Sequence, residues 1–566
     1  MFTYNMANKM ESSKTKLFSM VDYRPPGRQQ VSQIYDAVQK KIKTTGFDLF
    51  NYKKVFADGK TRKLIREGRT IGCFYIESPG MRSLLKRTNC DTFEMLTAVS
   101  SIIRPGVAES GMMKEFIERH KDPKRRKYLI PKMKEILGET YGVMIYQEDV
   151  IKVAHHVVGL TLEEADLLRR AMSGKMRSHK AMQMISDRFF SCSREKGYPD
   201  SVSQALWKQI ESFAGYAFCK AHSASFALLS FQVAYLKAHY PAEFMAGVLN
   251  NGGGYYSTAV YITEAQRIGL KLLLPDVNES MYGYVGKNQE IRIGFIAIRN
   301  FEESSAEIIV EERNENGKYI SLVDFLSRTH LGHERTESLI KCGAMDCFGL
   351  TRPTLLRLLD LYFKKKKILD VCNDDLFANE TIKLEKEVVT QTEFSPEEKS
   401  LYEYELFGYM ISQHPLQFFD TAVAAKDIIQ SADMFKYHNR RIKMIGWYMA
   451  SKRIKTSKGE IMKFLSLEDL TGTFEAVIFP KAYAQYAELT MSMGPYVIEG
   501  KVDAESGNNI IVEKLSVLTA EKAKSITQKE RNATDFFGEN EKPASEDEVL
   551  LVNTLGKEKL KTAYLA

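Results

Sequence analysis

The chain changes its hydrophobic period once, near Arg440, and that change limits what it can fold into. Before that point apolar residues recur mostly every three or four positions, the spacing of helices that bury one face. After it, RIKMIGWYM, KFLSLED, FEAVIFP, GPYVIEGKVD and NIIVEKLSVL read as strands, with SKG and SGNN as turns between them. Five short strands with a helical insert, KAYAQYAELTMSM, between the third and fourth are the layout of an OB-type barrel. One core cannot serve both parts of a 566-residue chain. The expected fold class is multidomain α+β: mainly helical first, then a five-stranded OB-type β-barrel.

The divisions follow from composition. Residues 1–35 are polar and end in DYRPPGRQQ, where Pro25 and Pro26 forbid a regular helix. Residues 36–285 read as predominantly helical, and TLEEADLLRRAMSGK shows why: Thr161 and Glu164 suit a capping box, apolar residues recur at helical spacing, and Gly174 supplies a stop. Residues 286–350 begin with a short strand in EIRIGFIAI and continue as two helical units. Residues 351–435, with the basic run Lys364–Lys367 and the acidic NDDLF, read as a partly ordered linker. The barrel occupies 436–520, and 521–566 is a polar, mobile tail.

A net charge of +8 suits a polyanionic partner without demanding one. The seven cysteines form no CxxC pair, which fits a reducing cytoplasm and argues against a disulfide framework or structural zinc. No signal peptide and no apolar run of membrane-spanning length are present, so a soluble cytoplasmic protein is expected.

Chemistry is sought first in FCKAHSASFALLSFQVAYLKAHYP, Phe218 to Pro241, where Lys220 and His222 open an otherwise apolar helix expected to be internal. Unpaired N–H groups at a helix start attract anions, so Lys220, His222 and Ser223 suit a phosphate. Equally, Ser223 only caps the helix, His222 is an interior residue and Lys220 reaches water. Arg169 and Arg170 are adjacent on a helix and diverge by about 100°, so they grip one small anion only with help from the next turn. Arg82, after an expected strand and Ser-Pro-Gly turn in IGCFYIESPGMRSLLK, and Arg104, before Pro-Gly, are further anion candidates beside the commoner reading of connecting loops. Nothing reads as a nucleophilic triad, a P-loop, HExxH or an EF-hand, or as strand-borne paired carboxylates for two Mg²⁺ ions.

Taken in order, GCFYIESPGMRSLLKR, SSIIRPGVAESGMM, YGVMIYQEDVIKVAHHVVGLTLEEADLLRRAMSGK and ESFAGYAFCKAHSASFALLSFQVAYLKAHYPAEFMAGVLNN resemble the alpha subunits of bacterial DNA polymerase III, the C-family replicative polymerases, across roughly residues 36–520. The resemblance implies a fingers domain at 36–285, tandem helix-hairpin-helix elements at 286–350, a linker with a sliding-clamp motif, and an OB domain near single-stranded template. It places Arg169, Arg170, Lys220 and His222, with Arg82 and Arg104, at the triphosphate of an incoming deoxynucleotide. Asn300 and Glu302 stand where the first hairpin usually has glycines, while the second keeps Gly343, so Gly343 and Lys341 are the expected DNA contacts. Asp375, Leu376 and Phe377 stand at the clamp motif, whose glutamine is replaced by Asn373; TDFFG at Thr534–Gly538 is a second candidate, and an acidic loop is the plain alternative for either.

Family members are about twice as long, and their palm aspartates are not recognised in this sequence. Asp22, in a leader that holds at most a palm remnant, does not match the family's strand and is not expected to be catalytic. The resemblance therefore implies part of a DNA-directed DNA polymerase acting in replication on primer-template DNA and dNTP. Its Mg²⁺ would be held by a separate palm-bearing portion, other replisome subunits would attend it, and the chain alone would extend nothing. The alternative is a non-catalytic DNA-binding and clamp-tethering module.

Overall fold

The structure is a computed structural model that describes residues 49–103, 111–172, 179–214, 218–252, 254–369, 388–456, 458–504 and 507–519. They fall into two compact units, one formed by Asp48–His239 and the other by Tyr240–Ala504 with the chain from Asn508 onward. No helix among the described residues is long and apolar enough to cross a membrane.

The first unit is helical, and its sequence writes many of the helix starts. Ser78 accepts from the Met81 N–H at the head of the Pro79–Arg87 helix, and Thr92 does the same for Met95 ahead of Phe93–Ile102. Thr161 and Glu164 exchange both bonds of a capping box before the Leu162–Met172 helix, as their spacing predicts. One core gathers Val150, Val153, Val157, Leu168, Phe189 and Leu206. The Lys220–His239 helix packs against Phe93–Ile102 and Gly59–Arg66. Ala221 and His222 in its first turn are exposed while Ser223 and most of its later turns are covered, so it is internal only in part.

One expectation fails here. Ile71–Glu77 is a succession of tight turns and no strand. Thr70 Oγ1 donates to the Ile76 carbonyl, the Gly72 N–H donates to the Glu77 carboxylate, and the buried Lys237 ammonium donates to the carbonyls of Arg69 and Ile71. Those carbonyls are therefore used by side chains, and no neighbouring strand is needed to satisfy them.

The second unit begins with the Pro241–Asn251 and Thr258–Arg267 helices. A small sheet follows, made of β1 (Lys271–Leu273), β2 (Val285–Lys287) and β3 (Glu290–Arg292) in the order β1-β3-β2, with β1 parallel and β2 antiparallel to β3. Helices at Glu303–Asn316, Leu322–Thr329 and His333–Lys341 come next.

The described part of the 351–435 segment is largely helical and packed. Arg352–Leu369 is one helix with Leu355, Leu358 and Leu359 fully buried, and Pro396–Phe407 is another, closed by a Ser395–Glu398 capping box. Buried Glu403 accepts from the Ile411 and Ser412 N–H groups and from the Ser412 hydroxyl, pinning the next turn. Leucines at helical spacing outweigh the neighbouring charge run, because each buried one contributes on the order of 2 kcal/mol. Residues 370–387 lie outside the described residues.

The barrel matches its expectation. Strands β4 (Arg441–Lys455), β5 (Ile461–Glu468), β6 (Thr473–Ile478), β7 (Tyr496–Asp503) and β8 (Asn509–Val517) close in the order β4-β5-β6-β8-β7. The long β4 serves two neighbours by bending at an irregularity between Tyr448 and Ala450, so its first half pairs with β7 and its second with β5. The parallel β6–β8 pair completes the ring, and a Pro480–Tyr486 helix sits between the third and fourth strands.

Candidate functional site

The Lys220–His239 helix begins at Lys220 itself, and its start is already tied to another helix. A parallel bridge joins Tyr146 to Phe218: the Phe218 N–H donates to the Ile145 carbonyl and the Gln147 N–H to the Phe218 carbonyl. This fastens the start of the Gln147–Lys152 helix to the start of the Lys220–His239 helix. The Lys220 N–H donates to both Glu148 carboxylate oxygens, at 3.1 and 2.9 Å. The anion expected at this helix start is therefore supplied in part by the protein.

The Lys220 ammonium is 2.6 Å from the Glu139 carboxylate and lies 5.1 Å from the centre of the Tyr146 ring. Tyr146 is buried, its hydroxyl makes no hydrogen bond, and burial with the nearby Glu139, Asp149 and Glu148 carboxylates pushes its phenol far up. Ser223 does not cap the helix; it is buried, 2.7 Å from the Ser101 hydroxyl. His222, two residues from Lys220 and so turned about 200° around the helix, is exposed, and its ring lies between those of Phe218 and Phe226 at 5.1 and 4.4 Å. Lys220 and His222 thus flank the helix start on opposite sides.

Arg169 and Arg170 do meet on one anion, a carboxylate from their own helix. Asp166 accepts from Arg169 at 2.8 Å and from Arg170 at 3.0 Å, using positions three and four residues back. Arg169, largely covered, also donates to Gln147 Oε1 at 3.1 Å, while Arg170 is half exposed. Gln147 and Glu148 are consecutive, one holding Arg169 and the other the Lys220 backbone, so the structure brings these two cations into one network. Sequence reasoning missed Glu139, Gln147 and Glu148, since nothing local marks them. Asp166 was missed too, although its spacing of three and four residues to the arginines is a local signal that could have marked it.

Asp149 anchors this network from below. It is buried and accepts from the Tyr146 and Ile145 N–H groups, yet burial outweighs those bonds and pushes its carboxyl up to about 7. A raised carboxyl favours the protonated folded form, so its contribution to stability is full below the unfolded value near 4 and is lost as pH rises through about 7. Asp149→Asn, which removes the titration, is expected to flatten the stability profile between pH 4 and 7, as measured by thermal unfolding across that range. An unchanged profile would show that another group sets it.

Arg82 stands on the Pro79–Arg87 helix, where its Nε donates to the Gly68 carbonyl at 2.9 Å. Arg104, Asp22 and the proposed clamp residues Asp375, Leu376 and Phe377 lie outside the described residues, as do Gly174, Thr534–Gly538 and the 521–566 tail.

In the hairpin region Gly343 has a left-handed φ of 88°, and a Cβ there would fall 2.2 Å from Arg352 Nη2. Arg352 is almost fully buried, paired with Asp346 at 2.7 Å and donating to the Lys341 carbonyl. The Lys341 ammonium is held by Glu337 at 2.6 Å and sits over the Tyr402 ring. Asn300, where a glycine is usual, adopts a φ of 57°. Asparagine tolerates this left-handed region better than most residues, whereas Glu302 has an ordinary φ of −71°.

Residues 31–197 match the family model of the bacterial DNA polymerase III alpha subunit finger domain, and residues 269–355 that of a helix-hairpin-helix motif. The DNA polymerase III subunit alpha of Staphylococcus aureus (strain MRSA252) is 32% identical over 533 residues, which cover 92% of this chain and 49% of that protein. The subunit of the same name from Saccharopolyspora erythraea is 33% identical over 474 residues, covering 80% of this chain and 40% of that protein. The chain spans about half the length of the curated relatives it matches.

Proposed function

Because this chain belongs to the family of bacterial DNA polymerase III alpha subunits, we propose that it supplies fingers, hairpins and barrel to a replicative DNA polymerase, binding the triphosphate of an incoming deoxynucleotide and the primer-template. The observation that supports this most is the joining of two helix ends at Gln147 and Glu148, which gathers Lys220 and Arg169, with Arg170 beside it, near one place. Each cation is paired with a carboxylate, Glu139 or Asp166, that a phosphate oxygen could replace with similar charge and geometry.

His222 is proposed to meet the nucleotide on the other side of the helix start, with Arg82 and Arg104 as outer contributors. Gly343 and Lys341 are proposed to approach the duplex backbone. Residues 375–377 are proposed to contact the sliding clamp, other replisome subunits to attend the chain, and the fingers, hairpin and barrel divisions to follow 36–285, 286–350 and 436–520. The location proposed is the cytoplasm. Nucleotidyl transfer needs Mg²⁺, proposed to be held by a palm-bearing portion. Among the described residues no group of three or more His, Cys, Asp or Glu is arranged to hold a metal ion, so no step is assigned to one here.

Titration of the full chain with dATP, read by calorimetry, tests the nucleotide site. Lys220→Ala is expected to weaken binding about tenfold or more, the loss of one charge-assisted contact. Glu139→Gln, which releases Lys220 from its internal partner, is expected to tighten it by a few fold. Unchanged affinity in Lys220→Ala would remove the triphosphate from this helix start.

A further inference from the structure

Beside Lys220, the helix start carries a set of aromatic rings, of which only His222 has been given a part in binding the nucleotide. Phe218, His222 and Phe226 follow one face at four-residue steps, and Phe226 meets two rings from the Ile71–Glu77 turns: Tyr75 stacked at 5.0 Å and 29°, and Phe74 at 5.6 Å. Phe74 is exposed, and Tyr75 and Phe226 are half-buried. Tyr75 has a φ of 70°, a left-handed conformation that costs an aromatic residue free energy and persists only where its surroundings impose it.

Here they do. The turns are clamped to the helix by the buried Lys237 ammonium on the carbonyls of Arg69 and Ile71, and by the Ser230 hydroxyl on the Phe74 carbonyl. Thr70 and Glu77 fix the same turns from within. A buried cation and a strained tyrosine thus hold partly exposed rings in one place. Apolar packing alone needs neither, since a ring on an ordinary turn would fill the same space.

We propose that Tyr75, with Phe74 and Phe226, forms a stacking platform for the base of the nucleotide whose phosphates meet Lys220 on the other side of the helix start. The occupant is a planar heteroaromatic ring bearing a polyphosphate, because flat rings stack offset on tyrosine and phenylalanine regardless of base identity and Lys220, six residues before Phe226 on the same helix, is turned about 240° from it. The inference rests on the triphosphate reading of Lys220 and names the part of the ligand that reading leaves unplaced.

The test uses the full chain and two probes, dATP and inorganic tripolyphosphate, titrated by calorimetry. Tyr75→Gly removes the ring while suiting the left-handed backbone, so the turns are expected to stay folded. Its dATP affinity is expected to fall about tenfold with tripolyphosphate affinity unchanged, while Tyr75→Phe stays near wild type. Lys220→Ala should instead weaken both probes. Unchanged dATP affinity in Tyr75→Gly, or a wild-type chain that binds dATP no more tightly than tripolyphosphate, overturns the platform and leaves the phosphate site standing. A wild-type chain that binds neither probe overturns the triphosphate reading and the platform with it.

Discussion

Glu468→Gln is expected to destabilise the barrel-bearing unit by about 3–5 kcal/mol, the range for breaking a buried ion pair from one side. Glu468, at the end of β5, is 2% exposed. It lies 2.5 Å from Arg267, accepts from the Thr263 hydroxyl, and is 3.4 Å from His414. Burial works against the Arg267 guanidinium, but Glu468 and Glu264 beside it outweigh burial and hold it charged. Glutamine keeps the shape and removes one of the two carboxylates that compensate the buried guanidinium. The chain has two tryptophans, Trp207 in the first unit and Trp447 on β4. In a Trp207→Phe background, Trp447 fluorescence reports the barrel alone, and its thermal transition is expected to fall by roughly 10 °C. A shift below about 2 °C would mean that the network contributes little to holding the Thr258–Arg267 helix to the barrel within this unit.

Gly343→Ala should cost about 3 kcal/mol or more, combining two effects that a control can separate. A left-handed φ is strained for any side chain, and here the new Cβ would also overlap the Arg352 guanidinium, displacing a buried charge from Asp346. Gly349 shares the φ region, at 73°, with nothing within 4 Å of the added carbon. Gly349→Ala should therefore show the strain alone, roughly 1 kcal/mol. Denaturant unfolding of the two variants gives the difference, and equal losses would show that Arg352 moves aside freely. If the hairpin grips DNA backbone, Gly343→Ala should also weaken binding to a duplex probe where Gly349→Ala does not.

Much of the fold could be read in advance wherever a rule acts over a few residues. The Thr161–Glu164 box and the five barrel strands rest on spacing alone, and the helical insert between the third and fourth strands fell where expected. The failures have equally definite causes. Ile71–Glu77 was read as a strand from its apolar residues, but its carbonyls are taken by Thr70 and by Lys237, more than 160 positions away in the chain. In the 351–435 segment, read as partly ordered from its charge runs, Leu355, Leu358 and Leu359 at helical spacing went unremarked.

The candidate site divides in the same way. Lys220, His222, Arg169 and Arg170 were identified from motif and helix position, because charge beside an apolar helix start is visible in one dimension. Their partners were not. Glu139 lies 81 positions before Lys220 and Glu148 lies 72 before it, in the same region that the Tyr146–Phe218 bridge joins, so their contacts are not visible in the local sequence. The sequence by itself determined the helices, the barrel and the cations, since periodicity, caps and charge act locally. Tertiary structure alone decided that the Lys220 ammonium rests on Glu139 and its backbone N–H on Glu148, that Arg169 reaches Gln147, and that a buried lysine holds the turns around Tyr75. Those outcomes depend on which distant groups are close enough to satisfy a buried charge or carbonyl, and packing alone sets that.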